Sequence, residues 1–87
     1  MITSMDITIY TTPNCMQCEQ TKKMFARKNV EFNLIDLTED PIAKEMVKEM
    51  GYTSAPVVVA SDRNWSGFKY DKIEALINEV QAIKAHA

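Results

Sequence analysis

The chain has 87 residues, 46% hydrophobic and 25% charged, with a formal net charge of -2. That length suits one domain with one core, expected to span residues 1–87. The small acidic balance argues against nucleic acid as a partner, since phosphate binding needs a clear basic excess. No apolar run nears the roughly 18 residues of a membrane-spanning helix.

Residues 1–5 read as an N-terminal extension, with Met5 a second candidate start. They hold neither a basic stretch nor a long apolar core, so no secretory signal is expected and the cytoplasm is the expected compartment. Ile7-Thr8-Ile9-Tyr10 alternates and is rich in β-branched residues, which predicts a strand. Thr11-Thr12-Pro13-Asn14 is a turn, with Asn14 expected to cap a helix from about Cys15 to Lys28. Cys18, Thr21, Phe25 and Lys28 fall near one stripe of that helix, with Met24 beside them. Glu31–Asp36 is a second strand, expected parallel to the first because the crossover is helical.

Asp40 caps the next helix and Pro41 opens it. Ile42, Met46, Val47 and Met50 are its expected apolar face, and Gly51 stops it. Met24, Met46 and Met50 are expected to fill the core. Pro56–Ala60 is a continuous apolar run, as in a strand buried on both faces. A turn at 61–64 leads to a short return strand over Asn64–Phe68. The last helix is expected from Asp71, with Glu74 at capping-box spacing. Ile73, Leu76, Ile77, Val80 and Ile83 form its core stripe, and residues 84–87 are expected to fray. The order β-α-β-α-β-β-α predicts an α/β fold, a four-stranded mixed sheet flanked by three helices.

Both cysteines fall in Cys15-Met16-Gln17-Cys18. A structural crosslink contributes most when it closes a long loop, and one across two residues constrains almost nothing. In a reducing compartment such a pair is transient and catalytic or sensing. The start of a helix presents unpaired N–H groups and the positive end of the helix dipole, and both favour a thiolate. Cys15, at the tip, is the expected nucleophile, and Cys18, on the inward stripe, the resolving thiol. Metal binding is the reading from another class, since two thiolates make half of a zinc site. The single histidine, His86, lies near the C-terminus and is expected to be a plain surface residue, so no metal ligand is assigned. Pro56 opens a buried strand, where it removes a ladder donor, and a cis Ala55–Pro56 bond is expected there.

Three segments together, Ile9–Cys18, Ala55–Val59 and Trp65-Ser66-Gly67-Phe68, resemble the glutaredoxin family, most closely its NrdH-type redoxins. The resemblance runs from about Asp6 to Glu79 and implies a thioredoxin/glutaredoxin-like fold. It also implies a dithiol–disulfide oxidoreductase that reduces the large subunit of class Ib ribonucleotide reductase. Electrons would come from NADPH through thioredoxin reductase rather than glutathione, with no bound cofactor beyond the redox-active Cys15–Cys18 disulfide, and the shuttle is expected to be monomeric. The substrate- and partner-facing set is expected to be Pro13, Met16, Gln17, Ser54, Ala55, Pro56, Trp65, Ser66, Gly67 and Phe68. Pro56 is the fold's cis-proline in that likeness.

Glutaredoxins usually hold glutathione with a Gly-Gly and an acidic residue ahead of the last helix. Here that place reads Trp65-Ser66-Gly67-Phe68-Lys69-Tyr70-Asp71, with Asp71 read as a helix cap. Lys69-Tyr70 also replaces the Arg-Pro usual among NrdH-type redoxins, and lysine lacks arginine's planar fork. A glutathione-dependent glutaredoxin is the nearer alternative and a cysteine-based metal-binding module the more distant one.

Overall fold

A strand with apolar residues on both faces must sit inside a sheet covered on both sides. Two segments have that pattern, Ile7–Thr11 (β1) and Val57–Ala60 (β3). In the computed structural model, which describes residues 6–61 and 63–85, they are the two central strands. Asn33–Asp36 (β2) and Arg63–Ser66 (β4) form the edges, in the order β2-β1-β3-β4. β1 and β2 are parallel, with Ile9 opposite Leu34. β1–β3 and β3–β4 are antiparallel, with Tyr10 opposite Val57 and Val58 opposite Trp65. The helices are Met16–Arg27 (α1), Pro41–Glu49 (α2) and Tyr70–Ala85 (α3). This is the expected β-α-β-α-β-β-α order in a thioredoxin/glutaredoxin-like fold.

Period-two alternation sends the two faces of the sheet to different helices. Ile7, Ile9, Val58 and Ala60 meet Phe25 of α1 and Ile73, Leu76, Ile77 and Val80 of α3. Tyr10 and Val57 meet Leu37 and, from α2, Ala43 and Val47. An ion pair in which Arg63 donates to both carboxylate oxygens of Glu79 ties β4 to α3.

Several local expectations need correction. The N-cap of α1 is Cys15, whose backbone is extended, while Asn14 takes a left-handed φ of 57°. Asparagine tolerates that region better than most residues. On α2 the buried stripe is Ala43 and Val47, and Ile42, Met46 and Met50 are exposed, Ile42 by 83%. Of the three methionines expected in the core, only Met24 packs against it. α3 begins at Tyr70, so Asp71 lies in its first turn rather than at its cap, and Glu74 accepts from the Tyr70 hydroxyl at 3.1 Å. β4 ends at Ser66, and the helical backbone of α3 continues to Ala85. Residues 1–5, Asp62 in the expected 61–64 turn, and His86 and Ala87 lie outside the described residues.

Candidate active site

The site is built at the end of the sheet where β1 runs out and β3 begins. Pro13 and Asn14 turn the chain out of β1, and Cys15 caps the helix that starts at Met16. The Cys18 backbone N–H donates to Cys15 Sγ at 3.1 Å. A first-turn N–H has no partner inside its own helix, so a sulfur at the cap satisfies it. A negative charge on that sulfur would gain both this hydrogen bond and the field of the helix. Cys15 and Cys18 are joined as a disulfide, and their Cα atoms are 5.2 Å apart.

The two sulfurs differ in access. Cys15 is half-buried, whereas Cys18 is 1% exposed and lies on the inward stripe with Thr21 and Phe25. Thr21 Oγ1 donates to the Gln17 carbonyl at 2.9 Å. An incoming disulfide can therefore reach Cys15, while Cys18 can reach only Cys15.

The Ala55–Pro56 peptide is cis, as the sequence predicts. Pro56 is fully buried. Residues 66–68 tie this loop to the dithiol. Ser66 Oγ donates to the Ser54 carbonyl at 2.7 Å, and the Gly67 N–H donates to the Pro56 carbonyl at 2.7 Å. The Phe68 N–H donates to Gln17 Oε1 at 3.1 Å. Gly67 makes the bend with a φ of 89°, a region L-residues avoid. Three segments distant in sequence, 15–18, 54–56 and 66–68, are thus held together at one end of the sheet.

Of the expected partner-facing residues, Pro13, Met16, Gln17 and Ser54 are exposed, Met16 by 77%, and Ala55, Ser66, Gly67 and Phe68 are half-buried. Phe68 packs its side chain against the larger core cluster. Trp65 does not belong to that surface. It is 4% exposed, packed among the core residues beneath α1 and α3, because its position opposite Val58 turns it inward. Its indole Nε1 has no hydrogen-bond partner among the described residues. The sequence reading passed over Thr12, Lys44, Lys48 and Tyr52, which line a cavity between this loop and α2. The i,i+4 spacing of the two lysines was the signal available for them.

Among the described residues no group of three His, Cys, Asp or Glu side chains is placed to hold a metal ion, and no helix is long and apolar enough to cross a membrane. A helix-capping thiol joined to a buried second cysteine beside a cis-proline, on this sheet, defines a thiol–disulfide oxidoreductase of the thioredoxin superfamily.

Comparison with known proteins narrows the class. The glutaredoxin family profile matches residues 7–65. The glutaredoxin-like protein NrdH of Escherichia coli K12 is 40% identical over 72 residues, covering 83% of this chain and 89% of that protein. NrdH of Lactococcus lactis subsp. cremoris is 39% identical over 70 residues, covering 80% of this chain and 97% of that protein. The solved structure of the E. coli NrdH-redoxin superposes with a TM-score of 0.79 at 39% identity, covering 82% of this chain and 93% of that one. The chain belongs to the glutaredoxin family, in its NrdH-like branch.

Proposed function

We propose that the protein is a cytoplasmic, monomeric electron carrier that reduces the active-site disulfide in the large subunit of a class Ib ribonucleotide reductase, and that thioredoxin reductase recharges it from NADPH. The observation that carries this reading is the asymmetric dithiol, with an accessible Cys15 sulfur receiving a helix N–H above a buried Cys18. In the reduced protein the Cys15 thiolate attacks one sulfur of the substrate disulfide. The S–S bond breaks, a mixed disulfide forms and one substrate thiolate leaves. Cys18 loses its proton and attacks Cys15 Sγ, which releases the second substrate thiolate and leaves the Cys15–Cys18 disulfide. Two electrons have passed to the substrate. The reductase returns two electrons from NADPH by the reverse exchange.

The choice of reductant is supported by the NrdH relatives, one of whose structures accounts for a thioredoxin-like activity profile. It is supported also by the segment ahead of α3, where Ser66 and Phe68 stand and the Phe68 N–H is committed to Gln17. The test follows NADPH consumption during reduction of insulin, with thioredoxin reductase in one arm and glutathione plus glutathione reductase in the other. Turnover is expected only in the first arm, and Cys15→Ser should abolish it. Turnover only with glutathione would replace this reading by a glutathione-dependent glutaredoxin.

A further inference from the structure

Beside the dithiol, on the α2 side of the sheet, the structure encloses a cavity of about 300 Å³. Thr12, three residues before Cys15, and Ala55, at the cis peptide, close one end of it. Leu37, Val47 and Tyr52 supply apolar wall. Lys44 and Lys48 stand on the α2 side, four residues apart and so on one face of the helix. No Asp or Glu lines the cavity, although the chain as a whole is acidic. Glu45 and Glu49 of α2 are outside the lining. Lys22 pairs with Glu19 and Arg63 with Glu79, but neither Lys44 nor Lys48 has a carboxylate partner among the described residues. The molecule has thus gathered two uncompensated cations around an apolar recess that begins where a substrate disulfide must lie.

We propose that this cavity binds the acidic segment flanking the cysteines of a protein disulfide substrate. An apolar side chain of that segment enters between Leu37, Val47 and Tyr52, and an adjacent Asp or Glu carboxylate pairs with Lys44 and Lys48. The proposal rests on the reading of Cys15–Cys18 as a protein disulfide reductase and adds its substrate preference. Charges on an interface rim act mainly on encounter and selection of the partner, so the effect belongs in kcat/KM and weakens with salt.

The experiment uses the full chain, reduced chemically and freed of reductant, in single-turnover reactions with two disulfide-closed peptides. The peptides are identical except that two residues flanking the cysteines are Glu in one and Gln in the other. The wild type is expected to reduce the Glu peptide about tenfold faster at low ionic strength, with the preference lost at about 0.5 M salt. Lys44→Gln/Lys48→Gln should bring the ratio to about one. Lys44→Glu/Lys48→Glu should favour a third peptide with Lys at those positions. Because each ratio is read within one protein, any general change in dithiol reactivity cancels. Equal rates on the Glu and Gln peptides in the wild type, or a preference that survives both double variants, would overturn the proposal. So would a double variant that loses only glutathione-dependent turnover, since the cavity would then serve glutathione. A wild type that reduces neither peptide nor bis(2-hydroxyethyl) disulfide would instead overturn the underlying reading of the dithiol, and the proposal with it.

Discussion

On one side of the sheet, Ile7, Ile9, Val58 and Trp65 lie beneath two helices, and eleven buried residues interlock there around Phe25 and Leu76. On the other side Tyr10 and Val57 lie beneath α2 alone, with five buried residues, an open cavity, and Ile42, Met46 and Met50 left in solvent. The thick layer holds α1, and with it Cys18, against the sheet. The thin layer leaves space next to the site. Stability and access are therefore assigned to opposite faces of four strands.

The sharpest way to break this contrast is to empty the thick layer. Phe25→Ala removes a ring with no solvent exposure and should cost about 3–5 kcal/mol, a large share of what a chain this size has. Urea denaturation would show it as a fall in midpoint at constant slope. Val47→Ala removes two methyl groups' worth of burial from the thin layer and should cost about 1–2 kcal/mol by the same measurement. Equal losses at the two positions would mean that the layers are not different in kind.

Tyr10 tests the thin layer by pH. Burial first, and the Asp40 carboxylate second, hold its phenol above the ordinary value of 10.0. The folded state therefore keeps this proton at pH values where the unfolded chain has lost it. The contribution is absent below the unfolded value, and stability falls as pH rises from about 10 through the folded value. Tyr10→Phe should flatten that alkaline loss, which denaturation midpoints at about pH 8 and about pH 11 would reveal. The smallest effect is expected at Ile42. Its side chain is 83% exposed, and Ile42→Ala should stay within about 0.5 kcal/mol of the wild type.

The same contrast explains what could be read in the sequence. β1, β3 and α3 bury one consistent face or both, so their apolar spacing leaves a single solution, and the central strands and the core stripe of α3 follow from it. The Cys pair and Pro56 were legible because their residue types are unusual where they stand. α2 was not. Its apolar residues at 42, 43, 46, 47 and 50 cover a stripe wider than one thin layer can bury. Which half turns inward depends on contacts with Tyr10 and Leu37, which spacing along the helix does not encode. The cap of α1 was displaced by one residue because Asn14, a good cap by type, takes the left-handed turn, and a sulfur takes its place. Trp65 read as a surface aromatic for a similar reason. In a four-residue edge strand, the side that meets the core is set by register with Val58, not by residue type.

The three hydrogen bonds from residues 66–68 have a consequence for how the protein meets its partners. Ser66, Gly67 and Phe68 each hold a piece of chain that comes from elsewhere, the dithiol turn in one case and the cis-proline loop in the other two. The entropy of bringing these pieces into one surface is spent once, as the chain folds, rather than at each collision with a substrate. A carrier that must bind, exchange electrons and let go gains from such rigidity. It can recognise a disulfide through few contacts and still release the product quickly.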